Sequence, residues 1–391
     1  MDIVKLSGVI KPYEWGDSYF ISNLLNRVKS NHPQGEMWIG THPMGISTLL
    51  MEETSLHEYI DSHPTQVLGE SHIKRFGHEL PFLLKVLAIK DPLSLQVHPN
   101  SEQARVGYDK EKELRGFTEA ALLNYKDNRQ KDEVLFALTP VTAMVGFRTL
   151  QEIVENFSLI LKYEDHIFSH SASIQDFFQT ILCLDSETKI DMLIALKEYV
   201  SESDEVEPSL FLSSKEIAKR ALSLYPDDIM AFAPFFLNVV HLEVGSAIHV
   251  KPTTLHAYVY GHGVELMSAS DNVLRGGLTH KKIDVKELLS NVSYYEDAVE
   301  NAPITQLDDS YYRINVDSSE FVFSYIEKGE VSFTDHSTLE IVLVLEGSGN
   351  IVWGQKEMRI KKGDILLIPS IIDSYTIQNS GLVVMASVPK E

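Results

Sequence analysis

Two stretches of this chain read as copies of one another: GSAIHVKPTTLH, from Gly245 to His256, and GDILLIPSIID, from Gly363 to Asp373. Each opens on a glycine turn and runs through an apolar strand. Each then breaks at a proline, which cannot donate to a sheet ladder, and places one polar side chain four residues further on. That position is His256 in the first copy and Asp373 in the second. Glycine turns, short apolar strands and a residue aimed inward are the layout of a double-sheet jelly roll. The duplication predicts two barrels, and only the first supplies an imidazole, since no His is expected near Asp373.

The surrounding pattern fits. LEIVLVLEGSGNIVWG, from Leu339 to Gly354, places two apolar strands on either side of a Gly-Ser-Gly hairpin signal. LPFLLKVLAIKDPLSLQVHPN, from Leu80 to Asn100, reads as a buried hairpin turning at Lys-Asp-Pro. Ser55 to Leu68 reads as one amphipathic helix, and residues 101 to 132 as helix and loop. From Leu150 the period changes: LQEIVENFSLILK, SIQDFFQTILCL, ETKIDMLIALKEYV and SKEIAKRALSLY space apolar residues by three and four, with the acidic SESDEVEPS (Ser201 to Ser209) as connector. The predicted fold is mainly β with an α-helical insertion, two cupin-type jelly-roll barrels plus a helical domain. Residues 1–149 and 236–300 form a metal-binding cupin domain, 150–235 the helical insertion, and 301–391 a second cupin-like domain without metal.

Chemistry concentrates in LQVHP, Leu95 to Pro99. Alternate residues of a strand share a face, so Gln96 and His98 project together, half of a metal site. His256 and Glu133, the latter closing YKDNRQKDE, supply the other half. Two imidazoles, a carboxylate and an amide oxygen suit zinc or another borderline divalent ion rather than calcium. Asp132 is a rival to Glu133, and successive strand residues face opposite ways, so one of the two reaches the ion.

Several segments in order resemble the type I phosphomannose isomerases: YEWG at Tyr13, GEMWIGTHP at Gly35, the Leu80 to Asn100 stretch, Glu133, and HAYVYGHGVELMSASDNVLRGGLTHKKIDV from His256 to Val285. The resemblance implies a zinc-dependent aldose-ketose isomerase of mannose metabolism. Such an enzyme interconverts D-mannose 6-phosphate and D-fructose 6-phosphate by moving a proton through an enediol. It implies one Zn2+ per chain, held by Gln96, His98, Glu133 and His256, with Arg275 as the active-site arginine. The loop departs from the family's usual Asn-His-Lys-Pro-Glu: Asn128 to Glu133 has one extra residue, no His, and Asp132 in place of Pro. Lys281 and Lys85 are candidates for the substrate phosphate, and Ser94, two residues before Gln96, for lining the pocket. Glu265, Lys131 and His280 are candidates for carrying the proton. Trp15 and Trp38 read as core rather than as sugar-stacking rings.

Composition sets limits. A chain of 391 residues with 44% hydrophobic residues exceeds one compact core. A formal net charge of −22 excludes nucleic acid and anionic membrane as partners and requires local cations for any anionic substrate. The resemblance implies a small sugar phosphate as the substrate. No apolar run reaches a membrane span, MDIVKLSGVI lacks a signal-peptide pattern, and the single Cys183 fits a reducing compartment. A cytoplasmic location is expected, with the oligomeric state open and a monomer among the options. Two other classes compete: a cupin oxygenase would use more His on the metal, and a non-catalytic sugar-phosphate sensor would have lost Arg275 or Glu133.

Overall fold

The computed structural model describes residues 1–52, 54–118, 123–202, 209–296, 299 and 301–390. The chain forms two double-layered jelly-roll barrels with a helical block on the flank of the first. In the first barrel the organising element is the long His256–Ser268 strand, which serves both layers. Its first half pairs with Val141–Phe147, and its second half lies between Phe82–Ile89 and Glu133–Ala137. The corner sits at Gly261, whose φ of 110° and close approach to the Pro140 carbonyl leave no room for a Cβ.

The expected Leu80 to Asn100 hairpin does not form. Phe82–Ile89 and Leu95–Val97 each pair with a different part of the His256–Ser268 strand, not with each other. The link between them crosses from one layer to the other. Lys90 and Asp91 donate to the Trp15 carbonyl and Leu93 to that of Tyr258, so these donors are satisfied without a hairpin ladder.

Alternation assigns every side chain on these strands. Val134, Phe136, Leu84, Val86, Val264 and Leu266 face outward into a core shared with the second barrel. Leu87, Ile89, Leu135, Ala137, Ala143, Val145 and Tyr258 fill the barrel interior. Lys85, Glu133 and Glu265 fall on that same inner set, as does His256, two residues before Tyr258.

The helices of the insertion run Leu150–Leu161, Ile174–Leu182, Ser186–Ser201 and Ser214–Leu224, each N-capped by the side chain of Thr149, Ser173, Asp185 or Ser213. Their phenylalanines pack with Leu95, Val97, Met144 and Ala257. Burying Leu95 and Val97 on that side, at about 1.5–3 kcal/mol each, turns Gln96 to the opposite face. Residues 203–208 of the acidic connector lie outside the described residues. The single helix expected over Ser55 to Leu68 is two, Leu56–Ser62 and Pro64–Leu68, because His63 precedes a proline and leaves the helical region (φ −143°, ψ 52°).

In the second barrel a four-stranded sheet (Gly329–Phe333, Tyr375–Asn379, Ser348–Trp353, Lys356–Lys361) faces an eight-stranded one. Leu339 to Gly354 is not a paired hairpin: Glu340–Val344 belongs to the larger sheet and Ser348–Trp353 to the smaller, so the glycine turn crosses between them. The larger sheet also takes in Val4–Ser7, paired with Ile365–Leu367, and Thr48–Leu49.

Candidate metal centre and substrate pocket

At one end of the first barrel, His98 Nε2 lies 3.2 Å from Glu133 Oε1, and His256 Nε2 lies 3.2 Å from Glu133 Oε2. All three residues are buried, and they are the only group of three or more such donors among the described residues. The imidazole tautomers are set by the backbone. His98 Nδ1 meets the Asn272 carbonyl at 2.7 Å and His256 Nδ1 that of Thr254 at 2.9 Å. A carbonyl only accepts, so each Nδ1 carries the proton and each Nε2 turns a lone pair toward the carboxylate. Among the described residues, Glu133 Oε2 and His256 Nε2 have no hydrogen-bond partner. Burial, with the Lys131 ammonium second, lowers the His98 pKa to about 4. Burial opposes the Glu133 charge, yet Lys131 and His98 hold its pKa well below the usual carboxylate range. His98 and Glu133 are thus deprotonated, as a metal requires, and the orphaned lone pairs converge where an ion would sit. The residues fit zinc.

Gln96 joins this group through register. His256 pairs with Gln96, and Gln96 in turn with Arg275, across three antiparallel strands. Residues directly opposite share a face, so imidazole, amide and guanidinium form one row. Arg275 is half-buried, and no described carboxylate pairs with it; burial lowers its pKa. Lys281 is exposed, and burial together with Arg275 lowers its pKa. Ser94 is half-buried, just before the strand.

A second row runs Trp38, Lys85, Glu265. Lys85 Nζ lies 3.1 Å from Glu265 and 3.7 Å from Glu36. Burial opposes its charge, but Glu36, Glu265 and Glu133 raise its pKa above the ordinary lysine value. Two carboxylates occupy this ammonium, so Lys85 is not the free cation expected for a phosphate. Burial and then Glu133 push Glu265 up to about 7, against Lys85 and Lys131. Lys131 Nζ is 2.6 Å from Glu133 Oε1 and 3.5 Å from His98 Nε2.

Asp132 turns the other way and meets His249 Nε2 at 2.8 Å, so Glu133 is the carboxylate that joins the histidines. His280 is exposed and faces Tyr225, ring centroids 5.0 Å apart. It lines a separate cavity of about 410 Å³ to which His98, Glu133 and His256 contribute nothing. Trp38 is buried, its ring 5.4 Å from Lys85 Nζ, and Trp15 packs on Tyr13.

Sequence reasoning missed Glu36 and Tyr258. The two-residue offset of Tyr258 from His256 was the available signal for the latter. It also missed a histidine in the second barrel. His336 is buried, its amide donates to the Asp373 carbonyl, and its Nε2 lies 3.5 Å from Glu340. Tyr375 donates to the same carboxylate. The expectation of no His near Asp373 fails because His336 reaches it from 37 residues away, through the fold.

The family model described as the catalytic domain of type I phosphomannose isomerase matches residues 3–150. The model for the cupin domain of mannose-6-phosphate isomerase matches residues 318–388. The mannose-6-phosphate isomerase of Shigella flexneri is 33% identical over 389 residues, covering 96% of this chain and 97% of that protein. An Arabidopsis thaliana mannose-6-phosphate isomerase is 31% identical over 421 residues, covering 97% and 91%. A zinc-bound crystal structure of mannose 6-phosphate isomerase superposes with a TM-score of 0.90 at 30% identity, covering 100% of both chains.

Proposed function

This chain belongs to the type I phosphomannose isomerase family, and from that premise we propose how its own residues divide the work of the reaction. The activity is the zinc-dependent interconversion of D-mannose 6-phosphate and D-fructose 6-phosphate. Gln96, His98, Glu133 and His256 are the residues that would hold the ion. With one carboxylate among four donors a bound ion would keep positive charge and would supply Lewis-acid chemistry for the sugar's oxygens.

The reaction takes a proton from the carbon beside the carbonyl and returns it to the neighbouring carbon through an enediol. Glu265 is the base: its pKa near 7 lets it take up and release a proton at neutral pH. Lys85 orients that carboxylate instead of binding phosphate. Lys131 donates to oxygens of the reacting centre. Arg275, half-buried and without a carboxylate partner, binds the substrate's negative charge bidentately, with Lys281 and Ser94 completing the anion site.

Residues 1–149 and 236–300 act as the catalytic unit, 150–235 support the Gln96 strand from outside, and 301–391 take no part in the chemistry. No described helix is long and apolar enough to cross a membrane, and we place the enzyme in the cytoplasm.

The carrying observation is the convergence of two tautomer-fixed imidazoles on one ionised carboxylate. A coupled assay of fructose 6-phosphate formation from mannose 6-phosphate, before and after chelation and again after zinc is restored, tests it. Full activity in a preparation shown to be metal-free refutes the assignment.

A further inference from the structure

Beside the centre, two loops are fastened to each other by a pair of side chains that the reaction itself does not use. Asn272 is fully buried. Its Nδ2 donates to the Asp127 carbonyl at 2.9 Å and the Arg129 carbonyl at 2.8 Å. Its Oδ1 accepts from the amides of Lys126 (2.7 Å) and Asp127 (3.3 Å). Both donor hydrogens and both lone pairs of the amide are therefore spent on the opposite loop. Asp127 reciprocates: its carboxylate accepts from the Ser270 hydroxyl at 2.9 Å, the Asp271 amide at 2.8 Å and the Arg129 amide at 2.9 Å. The Asn272 backbone carbonyl, held in place by this clasp, is the acceptor of His98 Nδ1.

We propose that Asn272 and Asp127 are positioning residues that fix His98 in the ring orientation and tautomer that ligate the metal, and so set how long the protein keeps it. The loop that Asn272 grips leads within a few residues to Lys131 and Glu133, and its own segment leads to Arg275. One clasp thus ties together the segments that lead into two strands whose ladders lie elsewhere. This also explains how the chain tolerates a loop with an extra residue and no His: the loop is anchored to the facing segment by Asn272 from one side and by its own Asp127 from the other. The proposal rests on His98 being a zinc ligand.

The test uses zinc-loaded full-length protein and the variants Asn272→Ser, Asp127→Asn and His98→Ala, with the zinc dissociation rate read by transfer to a chelating chromophore. Both clasp variants are expected to lose zinc about 10- to 100-fold faster, the usual scale for partners of metal-bound histidines. Turnover should return at saturating zinc with KM unchanged, a rescue that a merely structural role would not give. Dissociation indistinguishable from wild type in a folded variant, or lost turnover with zinc fully bound, overturns the proposal. If neither variant folds, nitrogen-15 spectra of zinc-loaded wild-type protein decide it: a His98 proton on Nδ1 supports the clasp and one on Nε2 overturns it. Unchanged zinc retention in His98→Ala instead marks failure of the ligand assignment.

Discussion

Lys85→Met is the most discriminating perturbation of the proton-handling side of the site. The substitution keeps the aliphatic bulk and removes an ammonium lying 3.1 Å from Glu265 and 3.7 Å from Glu36. Removing one partner of a buried ion pair costs about 3–5 kcal/mol when the charge left behind stays ionised. Here it need not stay ionised. Burial and Glu133 already hold Glu265 at about 7, above its ordinary 4.5, and Lys85 is the leading influence keeping it from rising further.

A group whose pKa is raised by folding stabilises fully below its unfolded value and loses that contribution as pH rises through the folded one. In the wild type that loss ends near 7; in the variant it continues upward. The stability difference between the two should therefore be flat below pH ~7 and widen above it, by at most about 1.4 kcal/mol per pH unit. Urea unfolding midpoints of metal-free protein, compared between about pH 6 and about pH 9, read this directly. An equal penalty at both ends would show that Lys85 does not control the Glu265 proton and would remove the basis for calling Glu265 the base.

Gln96→Glu should keep zinc, by elemental analysis, while turnover falls about tenfold or more, since a second carboxylate lowers the charge available to polarise the sugar; unchanged turnover counts against that charge argument. Arg275→Ala should lower kcat/KM about 10- to 100-fold, the value of about 1.5–3 kcal/mol for a hydrogen bond to a charged group. Lys in its place should rescue only part, because it lacks the planar fork. Asp132→Asn, whose carboxylate meets His249, should leave zinc content intact and cost about 1 kcal/mol of stability; zinc loss would reverse the assignment of Glu133.

The helical block was legible because its period is local and each helix starts at a capping side chain that the sequence displays. The candidate metal site was half legible. Period-two alternation ties Gln96 to His98, but only register across the His256–Ser268 strand ties either to His256 and Arg275. The errors share a cause. Turn signals such as Lys-Asp-Pro and Gly-Ser-Gly mark where a strand stops and not what it pairs with, so two links that cross between layers read as hairpins. The carboxylate partners of Lys85 are not legible in the sequence, because Glu36 is remote along the chain and meets it only through the sheet. His280 sits in the right motif, yet its ring turns to Tyr225 on the helical side.

The placement of Val4–Ser7 beside Ile365–Ile368 has a consequence for biogenesis. During synthesis Val4–Ser7 must wait, held nearby by the other barrel, for a partner strand made hundreds of residues later. Closing so distant a contact is slow. Expressed alone, the carboxy-proximal fragment would present Ile365–Ile368, apolar and stripped of its neighbour, as an open template for other chains. Splitting the gene between the barrels should therefore yield inclusion bodies from that half, and supplying the missing strand as a separate peptide should return it to solution.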